Sequence, residues 1–246
     1  MKRSIEILKF VVLLGLLIFL FSFSNKRNEK RKLSKVEVEF VDTKTPFITH
    51  NTVNKLLIQN KLDVKEVGKE TLVLKEMENR LRENPMVRDA EVFISINGVL
   101  GARIEQRDPI GRVASSNTGL SYYLDTDGKK MPLSEVYSAR VPLITGVAES
   151  NYDEITPFLI KLREDDFMQR LVVGINRRSN GEIELELRKS DINVLFGKPQ
   201  FIEKKFQNFK AFYKKTKQDS TLYEYEKVNL KFNNQVIATK KEDHGK

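Results

Sequence analysis

Apolar side chains crowd together at the start of this chain and settle into regular patterns after it. From Phe10 to Phe21 they form an uninterrupted core, and extending it to Ile5–Phe23 gives nineteen residues. That length spans a bilayer when Glu6 and Lys9 snorkel to the interface. Residues 10–24 are therefore expected to be the core of a transmembrane anchor behind a short N-terminal segment, 1–9. A cleaved signal peptide is the alternative, because Ser22 and Ser24 are small residues where a signal peptidase inspects the chain. Residues 25–35 hold almost nothing apolar except Leu33. They read as a basic linker, solvated or lying against anionic headgroups.

Alternation begins at Val36, and Val36–Val41 predicts a strand. Pro46 breaks it, and Thr49 is placed to cap a helix that carries Val53, Leu56 and Leu57 on one face. A second helix is expected over Thr71–Glu83, with Leu74, Met77 and Leu81 inward and Glu76–Arg80 and Glu78–Arg82 as i,i+4 pairs on the wet side. Asn84-Pro85 stops it, since proline disfavours helical geometry in the residue before it. Ala90, Val92, Ile94 and Ile96 then alternate, as do Leu100, Ala102 and Ile104. A two-residue turn at Asn97-Gly98 would set the two groups on opposite faces. A three-residue loop, Asn97 to Val99, or a bulge restores a common face. Residues 36–110 thus read as strand, helix, helix, strand, strand: an α+β domain with two helices on one side of a sheet.

A second, β-rich domain is expected over 111–240, followed by a polar tail, 241–246. "SYYLDTDGKKMPL" carries a hairpin turn at Asp127-Gly128. Tyr152–Arg170 reads as a helical stretch with Pro157 near a helix start. Strands follow at Leu171–Asn176, Glu182–Arg188 and Ile192–Phe196, with Asn180-Gly181 turning between the first two. "PQFIEKKFQNFKAFYKK" is the strongest helix signal, with Pro199 at its first position and Ile202, Phe206, Phe209 and Tyr213 as an aromatic core stripe. Val228, Leu230 and Phe232 alternate, Asn233-Asn234 is a turn, and Gln235–Lys240 forms a last strand. A terminal strand is often an edge strand, with unpaired backbone groups able to accept a partner strand; the alternative is an interior strand that closes the sheet.

Charge alters this picture only by where it sits. The net charge is +9, but residues 1–35 hold +7, residues 36–197 hold −4 and residues 198–246 hold +6. A phosphate-tracking surface needs basic residues spread along the folded body, so nucleic acid is not an expected partner. Chemistry is sparse. There is no cysteine, which excludes disulfides and thiolate sites. His50 and His244 stand apart from any evident partner. Asp125, Asp127 and Gly128 match only a fragment of a calcium loop. Asp165 and Asp166 read as a solvated helix end. Phosphate loops, nucleophile elbows and metal-ligand spacings are all missing from the sequence. We expect no enzyme, no cofactor, no metal site and no small-molecule substrate.

"ENPMVRDAEVFISINGVLGARIEQRDPIGRV" resembles the end of the POTRA domain in the FtsQ/DivIB family of bacterial cell-division proteins. The matching features are Pro85 at the helix end, Val87–Ala90–Val92 in the next strand, and Glu105–Arg107 with Pro109. "YYLDTDGKKM" followed by "VPLITG" resembles the opening of that family's β-domain, and the final hairpin resembles its close. The resemblance implies a POTRA domain at 36–110 and a β-domain at 111–240. It also implies a type II, single-pass protein of the cell inner membrane at the division septum, with residues 1–9 cytoplasmic and the bulk of the chain periplasmic. Read literally, the positive flank after the apolar core argues for the opposite orientation. The implied function is a non-enzymatic divisome scaffold that binds FtsB- and FtsL-like coiled-coil proteins by strand addition. The carried-over segment is Phe232 to Thr239, with Phe232, Gln235, Val236, Ile237, Ala238 and Thr239 as the binding residues. Lys240 stands where the family often has an aromatic. The alternative is a POTRA adaptor for outer-membrane protein export or assembly.

Overall fold

The computed structural model describes residues 2–29, 35–41, 46–58, 74–95, 97–114, 119–232 and 234–242. Helix α1 (Lys2–Glu29) has 28 residues and leaves Phe10 to Phe21 exposed. Among the described residues no helix is long and apolar enough to cross a membrane. The chain divides into two compact units, Met1–Gln106 and Arg107–Lys246.

In the first unit, β1 (Lys35–Phe40), β2 (Val87–Ile94) and β3 (Val99–Gln106) form a sheet in the order β1-β3-β2. β1 runs parallel to β3, and β2 antiparallel. Helices α2 (His50–Ile58) and α3 (Leu74–Arg82) bury Val53, Leu57, Met77 and Leu81 against Ala90, Val92, Leu100, Ala102 and Ile104. Thr49 caps α2 as the sequence predicts: its Oγ1 accepts the Thr52 amide at 3.1 Å. The approach to α2 is held by the buried Gln106, whose Oε1 accepts the Phe47 and Ile48 amides at 2.7 and 3.3 Å. Arg82 ties α3 to β2 through Asp89 (2.6 Å) and the Ala90 carbonyl (2.6 Å). Glu78 accepts the Val92 amide at 3.1 Å, and that bond, with Arg82 beside it, holds its carboxyl below the usual range. The expected Glu78–Arg82 pair forms at 3.3 Å, whereas Arg80 turns to the Leu56 carbonyl at 2.8 Å instead of meeting Glu76. His50 stacks edge-on against Phe40, with ring centroids 4.8 Å apart.

The β2–β3 hairpin keeps both apolar sets on one face by the register Ala90↔Ile104, Val92↔Ala102, Ile94↔Leu100. Ser95 donates its amide to the Val99 carbonyl at 2.9 Å, and Gly98 takes φ 83°. The connection therefore lies between Ser95 and Val99, one residue earlier than expected, and Val99 belongs to β3. Residues 96 and 71–73, on which parts of the sequence reading fell, lie outside the described residues.

The second unit is built on a nine-stranded sheet. Its strands are β4 (Pro109–Ala114), β5 (Ser121–Asp125), β6 (Lys130–Met131), β7 (Leu143–Thr145), β8 (Val172–Arg177), β9 (Ile183–Leu187), β10 (Ser190–Gly197), β11 (Tyr225–Asn229) and β12 (Ile237–Lys240). They lie in the order β12-β11-β10-β9-β8-β7-β4-β5-β6. Helices α4 (Tyr152–Glu164), α5 (Asp166–Leu171) and α6 (Ile202–Gln218) share one apolar cluster with the alternating Ile183, Leu185 and Leu187 of β9. At its centre Phe158 packs against Phe196 and Phe206, with ring centroids 5.0 and 5.9 Å away. α6 also serves as the crossover that makes β10 and β11 parallel neighbours.

Three expectations are corrected here. The single helical stretch Tyr152–Arg170 is two helices, because Asp165 leaves the helical conformation and accepts the Phe167 and Met168 amides at 3.2 and 3.1 Å to cap α5. Pro157 sits inside α4 instead of near its start. Pro199 precedes α6 instead of opening it, and Phe201 stands at the N-cap with φ 52°. The aromatic stripe does face the core: Phe206 and Phe209 are buried, with Ile202 and Tyr213 packed beside them.

Candidate partner-binding edge

β12 exists because β11 gives it a ladder and the core gives it a floor. Val228 and Leu230 are buried, and Val236 and Ala238 pack half-buried against the same cluster. The register pairs Asn229 with Ile237, Val228 with Ala238 and Lys227 with Thr239, and a bulge separates these from Tyr225 and Lys240. The strand is shorter than expected. It spans Ile237–Lys240, so Gln235 and Val236 approach it rather than belong to it. Phe232 lies before the approach, 48% exposed, and Asn233 of the expected turn is outside the described residues. Asn234 accepts from the Lys204 ammonium at 2.6 Å, which fastens the connection to α6.

The direction of each backbone group follows from one bond. Lys241 donates its amide to the Glu224 carbonyl at 2.7 Å. In an antiparallel ladder, bonded and non-bonded pairs alternate. Thr239 and Ile237 therefore also face β11, while Ala238 and Lys240 turn their amides and carbonyls outward. Among the described residues, no strand lies beyond β12 in the sheet order. Gln235, Ile237 and Thr239 are exposed, Ile237 at 44%. Lys240 donates to Glu224 at 2.7 Å and stands 5.9 Å from the Tyr225 ring centroid. The Glu224 hydrogen bond is the main cause of a raised Lys240 pKa. Of the six predicted residues, Ile237, Ala238 and Thr239 lie in β12, Gln235 and Val236 lead into it, and Phe232 precedes them. Sequence reading missed which of them carry outward backbone groups, because that depends on the pairing register with β11.

At the other end of the unit, Arg107 meets the nearly inaccessible Asp125 at 2.7 Å. The Asp125 carboxylate also accepts the Asp127 and Lys129 amides at 2.9 and 2.7 Å. Its role is to hold the β5–β6 turn, and among the described residues no cluster of acids and histidines could hold a metal ion.

Compared with known families, residues 31–105 match a POTRA-like domain. Residues 108–239, more than half of the chain, match the domain described as FtsQ/DivIB, C-terminal related. The chain belongs to the FtsQ/DivIB family. No match was found among curated proteins. As an FtsQ/DivIB-family protein it joins two modules of non-enzymatic scaffolds, which supports a general role in the division machinery, with protein partners there. The mixed α+β architecture fits a POTRA domain followed by a β-domain. The Arg107 that the family resemblance singled out is the one whose guanidinium pairs with the buried Asp125.

Proposed function

We propose that this FtsQ/DivIB-family chain is a single-pass type II scaffold. The segment around α1 anchors it in the inner membrane, and both units stand on the periplasmic side. It recruits FtsB- and FtsL-like coiled-coil proteins by strand addition to β12, using Phe232, Gln235, Val236, Ile237, Ala238 and Thr239. The observation that carries the reading is the free edge of β12, with outward backbone groups at Ala238 and Lys240 and an exposed apolar side chain at Ile237. A partner strand laid there gains main-chain hydrogen bonds, and side chains at alternate positions set its identity.

The test is photo-crosslinking in cells from Thr239, with and without Ala238→Pro. Proline at 238 removes an outward donor and leaves the bonds of Ile237 and Thr239 to β11 in place. Capture of FtsB- or FtsL-like proteins that falls at least tenfold in the variant is the expected result. Undiminished capture by a folded variant would sink strand addition. Capture of barrel-assembly components would move the protein to outer-membrane export, and capture of cytoplasmic proteins would reverse the orientation.

A further inference from the structure

A cleft of about 700 Å3 opens among the C-terminal ends of α4 and α5, the start of β8 and the stretch before β7. Its floor is apolar: Ile110, Leu162 and Val172 are almost wholly buried. Its rim carries Arg140, Arg163, Arg170 and Arg188, and its lining includes no carboxylate. Arg163 alone has an acid partner, Asp108. Arg188 donates its Nε to the Arg170 carbonyl at 3.1 Å, which aims the rest of its fork away from that bond. Among the described residues, Arg140 and Arg170 reach no carboxylate within ion-pair distance.

This concentration runs against its surroundings, since residues 36–197 carry a net charge of −4. Helix C-termini welcome cations, which accounts for Arg163 and Arg170 where they stand. It does not account for Arg140, before β7, or Arg188, in the β9–β10 turn. Four like charges converging on one hollow repel one another, and a bound anion relieves that repulsion. Arginine forks match carboxylates in paired hydrogen bonds, and the half-buried Val141, Pro142 and Val173 between them suit an aliphatic side chain between two acids.

We propose that this cleft binds an acidic peptide segment of a protein partner, with its carboxylates on the arginine rim and an apolar side chain on the floor. The choice of a protein source rests on the scaffold reading. The site is separate from β12, so a partner engaged there has a second point of attachment on the same unit.

The test uses the full chain in neutral detergent and fluorescence anisotropy with two labelled probes, Leu-Glu-Glu-Leu-Glu and Leu-Lys-Lys-Leu-Lys. The acidic probe should bind saturably, lose affinity as salt is raised, and bind at least tenfold more weakly to Arg140→Glu/Arg170→Glu. The Ala238→Pro variant should bind it as the unaltered chain does, so failure of strand addition and failure of this site read out separately. If the reversed variant does not fold, Arg140→Gln/Arg170→Gln replaces it, with the same tenfold loss expected. Equal binding of both probes, or equal binding by a folded variant, overturns the proposal. So does binding of phosphatidylglycerol vesicles through the same two arginines without binding of the acidic probe, which would make a lipid headgroup the occupant.

Discussion

Lys205 is a charged residue that α6 turns inward. It is 3% exposed and donates to the Phe196 and Lys198 carbonyls at 3.0 and 2.9 Å, straddling Gly197 at the end of β10. Its ammonium also lies 4.5 Å from the Phe196 ring centroid. The need of two strand-end carbonyls for a donor is invisible in a helical wheel. Burial pushes its pKa below the ordinary 10.5. The unfolded chain then holds that proton to higher pH than the folded one, so stability rises with pH between the lowered value and 10.5. Comparing urea midpoints at about pH 8 and about pH 10 should show the unaltered chain gaining on Lys205→Met as pH rises. The opposite trend would mean that Lys205 is not desolvated in the folded protein.

Among elements, those with a local cause were legible and those set by packing were not. Thr49 caps α2, Asn180-Gly181 turns the β8–β9 hairpin, and alternation located β2, β3 and β9. The α4–α5 break escaped notice because "LREDDFMQRL" is continuous in helical pattern, and only the side chain of Asp165 interrupts it. Asp165 caps α5 and pairs with Lys210 of α6, so the carboxylate that might have suggested acid–base chemistry is a joint between three helices. Asp165→Ala should cost about 1–2 kcal/mol in urea unfolding through the lost cap. Asp165→Asn keeps the cap and should recover most of that loss. Equal destabilisation by both would shift the weight to the Lys210 pair. Of the candidate site, the edge strand was readable from alternation near the chain's end, but its length and the direction of its amides were not. Pairing starts at Asn229 with Ile237, and the Lys241–Glu224 bond sets which amides face inward.

For the molecule as a whole, two units imply two places where stability is decided. Asp125 is almost fully buried, and Arg107 beside it keeps only 12% of its side chain exposed. Removing one partner of such a pair leaves a buried charge alone, and Asp125→Ala should destabilise by about 3 kcal/mol. Hydrogen exchange should locate that loss in residues 107–246 and leave β2 and β3 protected as before. Loss of protection in both units would show that they unfold as one. The free edge also sets a ceiling on grip. β12 turns outward only Ala238 and Lys240, each with one donor and one acceptor. At about 0.5–1.5 kcal/mol net per hydrogen bond, a strand held by these four bonds alone has a Kd no tighter than roughly 50 micromolar and comes off below that concentration. Such a contact exchanges readily, and under the proposed scaffold role confinement of both proteins to one membrane would raise their local concentration enough to keep it occupied. Detached from the membrane, the same partners should drift apart on dilution, with every hydrogen bond of the edge still available to the next arrival.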